Sequence, residues 1–486
     1  MFLTRRALIG GMGVTAATLF TTQIVRAATD AERWWDVIVV GAGGAGLSAA
    51  VHARARGLSV LVLEKMEVLG GSTQMSSGQW AVAGSNFQRE LGIYDTREKF
   101  IQDMLNFGKG QNDPALVEAF VDASKVEYDW ILTHGVKPRY LIANAGMSVP
   151  RAHFFDPSEV LDLYAHELKD LGGQIRFNTR VGRLLFNVRE KRIEGVQVEE
   201  ARGTSVLKAR LGVILSTGGF ARNKRLLATY APACAEAYVL CGRGSTGDGM
   251  LMAQEFGAGL RDMAYIQPTY GYLPFPQSSR DKTSAFYAGG IIVNCAGRRF
   301  VDESLSYKTI GELALQQAGG KTFIVFDDIV RRQALTKDPR ERQYFGEKGK
   351  VNRGFAADSI RALAQKAGID ADVLEQTVRL YNKTAPQGKD VLGRQTLTYT
   401  YGKPLPLTEP PFVAIETSAA LLTTYCGIHV DPQMHVINVF GERINGLYAA
   451  GEVTGGVHGA SSVSGTGFAK AFAMGRIAVE SITEQI

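Results

Sequence analysis

The chain has 486 residues, of which 45% are hydrophobic and 21% charged, and its formal net charge is +6. This is the composition of a globular protein large enough for two domains, and its positive charge is not gathered into a tract that would indicate nucleic acid as a partner. The four cysteines form no CxxC pair and the seven histidines show no ligand spacing, so the sequence indicates no covalent haem, iron–sulfur cluster or metal site.

The N-terminal segment has the features of an export signal. A twin arginine, Arg5-Arg6, precedes an apolar run rich in Gly and Ala, and Val25-Arg26-Ala27 fits a small-residue cleavage site. The run is too short and too interrupted for a stable membrane span. We therefore expect residues 1–27 to be a twin-arginine signal peptide that directs the folded protein to a bacterial periplasm.

Residues 36–64 predict a dinucleotide-binding βαβ unit. The apolar run 37–40 predicts a buried parallel strand, and the helical segment 47–55 follows the glycines Gly41-x-Gly43-x-x-Gly46. Such glycines permit a tight turn, a close approach by a pyrophosphate and close helix–strand packing. A second strand ends at Glu64, whose carboxylate is suited to accept hydrogen bonds from a ribose. Glycines also occur in ordinary turns, but here the strand, the glycines, the helix, the second strand and the terminal Glu64 occur in the order and spacing that the unit requires.

Other segments rich in Gly and hydroxyl residues are predicted to contact the same cofactor. The first such segment is the loop 70–78, which comes after Glu64, and the second comes directly after the buried run 211–215. Two more stand at the starts of predicted helices, near residues 248 and 466. The predicted cofactor-binding residues are Gly41, Gly43, Gly44, Ala45, Gly46, Glu64, Lys65, Gly70, Gly71, Ser72, Ser77, Gly78, Thr217, Gly218, Gly219, Asp248, Glu452, Gly465, Thr466, Gly467 and Phe468.

The remaining pattern predicts an α/β fold with an insertion. Helical spacing covers 95–135 and 158–170, and the strand-like runs 174–177, 193–199 and 205–209 indicate a small sheet. From about residue 265 prolines and aromatic residues become frequent. We predict a Rossmann-like domain in two parts, 28–265 and 412–486, interrupted by an inserted α+β domain at 266–411.

Together these motifs resemble the succinate dehydrogenase/fumarate reductase flavoprotein family over the whole mature chain. The resemblance includes Gly70-Gly71-Ser72 and the segments 217–220, 246–249, 297–303 and 450–459. It implies FAD in the Rossmann-like domain, and an inserted capping domain that closes a small-molecule substrate against the flavin. Hydride then passes between flavin N5 and a carbon β to an activating group, while a side chain moves a proton. The loop 70–78 has no His of the kind to which membrane-bound members attach flavin, so we expect non-covalent FAD.

The positions that carry catalysis differ from those of soluble fumarate reductases. Tyr307 stands where that branch has a proton-donating Arg, and Ser462 stands where it has a substrate-binding Arg. Thr283 and Phe286 occupy the positions of its proton path. No cation remains at these positions to hold a dicarboxylate, so we expect a neutral or singly charged substrate.

Tyr307 makes its segment similar to the 3-ketosteroid Δ1-dehydrogenase branch, although the second Tyr of that branch falls on Ser462. The resemblance implies catalysis by Tyr307 and Ser462, with α,β-desaturation of a ketone-like substrate. Two alternatives stay open: the reverse reaction on an acrylate- or urocanate-type enoate, and a flavin electron-transfer subunit without its own substrate. Because no haem is encoded, we expect a separate electron carrier, such as a periplasmic cytochrome or a quinone-linked protein.

Overall fold

A computed structural model describes residues 34–200, 203–276, 278–397, 402–484 and 486. The signal peptide predicted at 1–27 lies outside these residues. The strands are β1 (Trp34–Val40), β2 (Val60–Leu63), β3 (Gln79–Ala81), β4 (Tyr140–Ile142), β5 (Ala152–Phe154), β6 (Gln174–Arg176), β7 (Arg180–Asn187), β8 (Arg192–Glu200), β9 (Gly203–Leu215), β10 (Tyr238–Val239), β11 (Leu260–Arg261), β12 (Thr269–Tyr272), β13 (Ile291–Asn294), β14 (Thr322–Phe326), β15 (Phe355–Ala357), β16 (Phe412–Leu421), β17 (Gly427–Ile428), β18 (His435–Ile437) and β19 (Arg443–Ala449). The α-helices are α1 (Gly44–Ala55), α2 (Gly71–Met75), α3 (Asn86–Glu90), α4 (Arg97–Phe107), α5 (Pro114–Thr133), α6 (Pro157–Asp170), α7 (Lys224–Tyr230), α8 (Asp248–Gln254), α9 (Tyr307–Leu315), α10 (Asp328–Lys337), α11 (Arg342–Phe345), α12 (Ile360–Ala367), α13 (Ala371–Thr384) and α14 (Thr466–Thr483).

The first sheet is built around β1, whose apolar residues Val37, Ile38 and Val39 are fully buried. The strand order is β18-β19-β9-β1-β2-β6; the strands from β19 to β6 are parallel, and β18 pairs antiparallel at one edge. In such sheets ligands bind at the carboxyl ends of the strands. The α/β architecture is the one that the sequence predicts.

Two elements differ from the prediction. The run 174–177 does not join a small sheet with the runs near 193 and 205, because β6 lies parallel to β2 at the edge of the main sheet. The runs 205–209 and 211–215 are not two strands but parts of β9, which has 13 residues. Its first half pairs antiparallel with β8, and its second half lies parallel to β1 and β19. The single long strand therefore ties the small antiparallel extension, β7–β8, to the nucleotide-binding sheet.

Helices α1 and α14 pack closely against each other beside this sheet. A Cβ added at Gly475 of α14 would stand 2.2 Å from the backbone oxygen of Ala45, so only glycine allows this approach. Helix α5 adds a buried carboxylate, Glu127, which accepts hydrogen bonds from Ser48 on α1 and Tyr164 on α6 and pairs with Arg476 on α14. Glu127 therefore links α1, α5, α6 and α14 to one another.

A second sheet has its own hydrophobic core. Its strand order is β10-β16-β14-β13, with β12 and β15 also paired to β16, and helices α9 to α13 belong to this part of the chain. The predicted boundary at residue 411 falls before β16, yet residues 413–417 of β16 pair with β14. The second sheet therefore extends to Leu421, ten residues beyond the predicted end of the inserted domain.

Candidate active site

A cavity of about 440 Å³ lies between the carboxyl edge of the parallel sheet and the second sheet. Gly41, Glu64 and Lys65 are among the residues at one end, which we call the nucleotide end. Lys282, Tyr307, Tyr425 and Ser462 line the other end, which we call the substrate end. The cavity is therefore bounded by both parts of the molecule.

The three fingerprint glycines have different surroundings. A Cβ at Gly41 would stand 2.5 Å from the Ser216 oxygen, and a Cβ at Gly46 would stand 1.9 Å from the Gly41 oxygen. Gly43 is the exception, because the nearest protein atoms to its Cβ would be 3.8 Å away. Gly41 and Gly46 therefore allow the backbone to pack, whereas Gly43 borders open space in the cavity, as a pyrophosphate cradle requires.

The acid after β2 is held in place by the backbone. Glu64 accepts hydrogen bonds from the backbone N–H groups of Ala42 and Met66, both at 2.8 Å. The first of these bonds ties the end of β2 to the Gly41 turn. The Glu64 carboxylate is thus fixed at the cavity wall before any ligand arrives.

Lys65 and Asp248, both predicted cofactor contacts, pair with each other across the cavity wall. Lys65 Nζ lies 3.0 Å from Asp248 Oδ2 and donates to the Thr246 hydroxyl. Burial opposes ionisation of Asp248, but the charge and hydrogen bond of Lys65, the Thr246 hydroxyl and the charge of Arg180 together outweigh it, so the pKa of the carboxyl is lowered. Asp248 therefore remains ionised at neutral pH at the start of α8.

The end of β9 and the 452 segment meet at the middle of the cavity. Thr217 Oγ1 is buried and has no hydrogen-bond partner among the described residues. Glu452 lines the cavity nearby, accepts a hydrogen bond from the Thr424 N–H, and has its pKa raised by burial. Both groups retain hydrogen-bonding capacity that a polar cofactor chain can satisfy.

Most of the predicted cofactor-binding residues line the cavity. They are Gly41, Gly43, Gly44, Ala45, Glu64, Lys65, Gly71, Ser72, Ser77, Thr217, Gly218, Asp248, Glu452, Gly465, Gly467 and Phe468. The others stand behind the wall and shape it by packing. They are Gly46, Gly70, Gly78, Gly219 and Thr466.

Thr466 illustrates the difference. Its hydroxyl turns inward to the Val463 oxygen, at 2.6 Å, while its neighbours Gly465 and Gly467 border the cavity. The first turn of α14 therefore presents backbone to the cavity. The positive end of this 18-residue helix dipole favours negative charge on a ligand there.

The segment leading to Tyr307 is anchored by a buried ion pair. Glu303 accepts hydrogen bonds from the Ile292 N–H, at 2.9 Å, and from Arg299, at 2.8 and 2.6 Å. Arg299 also pairs with Asp390. These contacts fasten the turn between β13 and α9, and Tyr307 is the first residue of α9.

The Tyr307 phenol holds its proton. Burial raises the pKa of Tyr307 above its ordinary value of 10.0, and the polar side chain of Ser464 offsets only part of this shift. A phenol with a raised pKa is neutral near pH 7, so Tyr307 carries a proton that it can donate.

Two lysines at the substrate end are absent from the sequence-based predictions. Lys308 Nζ donates to the Gln267 oxygen and the Thr269 hydroxyl, and lies 4.5 Å from the Tyr425 ring centroid. Lys282 Nζ lies 5.8 Å from the Tyr307 ring centroid. Comparison with the family motifs missed both lysines, because neither stands where the family carries a functional residue. The only signal in the sequence was that Lys308 follows Tyr307 and Lys282 precedes Thr283, which do stand at such positions.

Ser462, predicted to be catalytic, lies beside a second tyrosine. Its hydroxyl interacts with the Tyr425 phenol, whose pKa is raised by burial. Tyr425 has a positive φ of 56° and its ring meets that of His458 edge-on, 5.1 Å away. Burial holds the pKa of His458 well below its usual value, so this imidazole is neutral.

Comparisons with known proteins place the chain in a family. A family model described as an FAD binding domain matches residues 36–468. The fumarate reductase (cytochrome) of Shewanella frigidimarina is 34% identical over 459 residues, which cover 92% of this chain and 76% of that protein. The urocanate reductase of Eggerthella lenta is 29% identical and covers 91% of this chain and 73% of its own length. The open conformation of a flavocytochrome c3 fumarate reductase superposes with a TM-score of 0.78 at 28% identity, over 96% of this chain and 81% of that one.

These similarities confirm the predicted family and the predicted cofactor, FAD. The residues present fit that cofactor, because Gly43 leaves space at the fingerprint and Thr217 keeps an unpartnered hydroxyl along the wall. The chain belongs to the FAD binding domain family, and it is an FAD-dependent oxidoreductase of the kind that acts on CH–CH bonds.

Proposed function

We propose that this protein reduces a carbon–carbon double bond conjugated to a carbonyl or carboxyl group, with Tyr307 as the proton donor. The observation that carries the proposal is the neutral Tyr307 phenol in the wall of the substrate end. Reduction starts from the neutral phenol that the resting site holds, whereas desaturation starts from the phenolate. Tyr307 alone left both directions open, and its surroundings favour the reductive alternative.

The two ends of the cavity have different functions in this proposal: the nucleotide end binds the cofactor, and the substrate end holds the proton donor. FAD, when bound, supplies the hydride for the carbon β to the activating group. Tyr307 donates its proton to the α carbon, and the buried turn held by Arg299 and Glu303 keeps the phenol in place. We further propose that the inserted part acts as a cap, because it carries both Lys282 and Tyr307 to the cavity and excludes water there.

The relatives support the same direction. Their names describe reductases of fumarate and urocanate, which both carry a double bond conjugated to a carboxyl group. A general acid on one side of such a bond contributes about 10²–10⁴-fold to the rate. Tyr307 takes the place of the Arg that the resemblance assigns to this step.

A second candidate is the α,β-desaturation of a ketone. Tyr425 favours it, because its phenol interacts with Ser462, the position at which the ketosteroid dehydrogenase branch carries its second Tyr. Two phenols would then flank the substrate, one to hold the ketone oxygen and one to move the proton. The raised pKa of Tyr307 weighs against this candidate.

Anaerobic flavin spectroscopy separates the two. The flavin of the purified holoenzyme is reduced with dithionite and mixed with crotonate, cinnamate, crotonamide or cyclohexenone. We expect rapid reoxidation by at least one of these acceptors. Reduction of the oxidised flavin by saturated ketones, together with no reoxidation by the enoates and enones, would overturn the proposal in favour of desaturation.

We also propose that the protein acts in the periplasm, receives electrons from a separate carrier, and holds FAD without a covalent bond. Among the described residues, the helices lack an apolar stretch of the length that a membrane span needs. Replacing Arg5 and Arg6 by Lys should leave the protein in the cytoplasm, as fractionation would detect, since the twin-arginine route requires the pair. Unchanged periplasmic activity would contradict the export proposal.

A further inference from the structure

Lys282 is an ammonium group without an acceptor. Its side chain lines the substrate end of the cavity, and among the described residues no hydrogen bond or ion pair engages Nζ. The centroid of the Tyr307 ring lies 5.8 Å from Nζ. The other two lysines deep in the cavity region differ, because Lys308 bonds to Gln267 and Thr269, and Lys470 donates to the Thr454 oxygen.

The charged neighbours of Lys282 do not supply the missing partner. Burial and the nearby Arg340 lower the pKa of Lys282 to about 8, so the ammonium still predominates at pH 7. Arg340 is itself paired with Asp338. Glu341 is only partly ionised at pH 7, because burial raises its pKa to about 7, and its Oε1 already accepts a hydrogen bond from the Ser284 N–H. Lys308, on α9, repels Lys282.

A desolvated cation without an acceptor is unfavourable, and a bound anion removes that penalty. We propose that Lys282 binds a carboxylate of the substrate beside Tyr307, and that the substrate is a 2-enoate carrying this single carboxylate. The inference rests on the proposed reduction of a conjugated double bond and names its substrate class. Lys308, the other lysine beside Tyr307, is not part of the cavity wall and already donates to Gln267 and Thr269, so it offers no comparable site for a second carboxylate.

The arrangement also suits the chemistry. An ammonium at the carboxylate withdraws electron density from the double bond and so favours hydride addition at the β carbon. The α carbon then lies between the carboxylate, which is held by Lys282, and the proton donor Tyr307. Lys282 is thus a specificity-determining residue rather than a source of the proton.

The test uses matched anionic and neutral ligands on the FAD-loaded protein. Crotonate and crotonamide, and cinnamate and cinnamamide, are titrated into the oxidised holoenzyme, and Kd is taken from the change in flavin absorption. The variants are Lys282→Met, which keeps the unbranched chain without charge, and Lys282→Arg, which restores charge. Lys383→Met, on an exposed part of α13, is the control for net charge.

We expect Lys282→Met to raise Kd for both carboxylates about 10- to 100-fold, the usual weight of a hydrogen bond to a charged group, and to change Kd for the amides less than about threefold. Lys282→Arg should recover most of the affinity, and Lys383→Met should behave as the wild type. Equal effects on acids and amides, or none on the acids, would overturn the inference. A fall in kcat for amides as well as acids would instead make Lys282 a proton-transfer residue.

A wild-type measurement tests the same point without substitution. Crotonate affinity should fall above about pH 8 as Lys282 loses its proton, whereas crotonamide affinity should stay level over the same range. Because Glu341 ionises near pH 7, the profile is repeated with Glu341→Gln, in which the fall above pH 8 should persist. A pH-independent Kd for crotonate would refute the role of Lys282.

The two proposals can fail separately. If the enzyme reduces enones but does not bind acids more tightly than amides, only the inference about Lys282 is refuted. If acids bind in a way that depends on Lys282 but no acceptor is turned over, only the proposed reduction is refuted.

Discussion

The two ends of the cavity are built from different parts of the chain. The nucleotide end consists mainly of backbone: Gly41, Gly43 and the first turn of α14 bring main-chain atoms to the wall, and Glu64 is fixed by two N–H groups. The substrate end consists of side chains from separate segments, among them Lys282, Tyr307, Tyr425 and Ser462.

This contrast explains why one end resembles its relatives and the other departs from them. A backbone cradle tolerates few changes, because any Cβ at Gly41 or Gly46 meets main-chain oxygen. Side chains at the substrate end can be exchanged without moving the fold. Changes at the nucleotide end should therefore abolish cofactor binding or folding, whereas changes at the substrate end should alter rate and selectivity.

The largest expected effect is the loss of FAD from Gly43→Val. Gly43 has an extended backbone, and its Cβ would be 3.8 Å from the nearest protein atoms, so the protein should still fold. The valine methyls enter the space of the pyrophosphate, and the purified variant should be colourless. The ratio of flavin to protein absorbance measures this.

Gly46→Ala is the contrasting variant. Its Cβ would lie 1.9 Å from the Gly41 oxygen, so the apoprotein itself should lose stability, by roughly 1–3 kcal/mol or more. A yellow, folded Gly43→Val protein would show that the cradle is placed wrongly.

The next effect is catalytic and lies at the other end. Tyr307→Phe keeps the ring and removes the hydroxyl, so kcat should fall by about 10²–10⁴ while KM, FAD content and the flavin spectrum change little. Tyr425→Phe is the control, and under the reductase proposal its kcat should fall less. Equal losses in both variants would favour the ketone candidate, and near-normal kcat in Tyr307→Phe would remove Tyr307 from the mechanism.

A third prediction concerns stability near the substrate end. Burial raises the pKa of Glu341 from 4.5 to about 7, so the folded state favours the protonated acid. The stability it contributes is complete below pH 4.5 and is lost as pH rises through 7. Glu341→Gln cannot ionise, and its stability relative to wild type should rise by roughly 1–3 kcal/mol between pH 5 and 8. Urea unfolding at several pH values measures this, with the exposed Glu347→Gln as a control that should show no such rise.

The smallest effect is expected for Ser462→Ala. The substitution removes the hydroxyl that interacts with Tyr425 and keeps the buried volume nearly unchanged. The loss of one neutral hydrogen bond corresponds to about 2- to 10-fold in kcat/KM. Steady-state kinetics at matched FAD content tests it, and a loss above about 100-fold would give Ser462 a direct role in the reaction.

The sequence alone determined the family, the cofactor and most of the cavity wall at the nucleotide end. It could do so because each contact there depends on a local pattern: a strand, a glycine turn and a helix start within about thirty residues. The same logic failed for β9, where an apolar run and an alternating run form one strand. It also gave no sign that β16 belongs to the second sheet, since pairing between distant strands leaves no local signal.

Only the tertiary structure brought Lys282 and Tyr425 to Tyr307 and Ser462, and the Lys308 ammonium to the Tyr425 ring. Nothing in their local sequence separates these two lysines from those on the surface. Their character comes from burial, which lowers the pKa values of Lys282 and Lys308 to about 8 and about 7 and raises that of Tyr307. Desolvation depends on everything packed around a group, so it is a property of the folded chain and not of any short stretch of it.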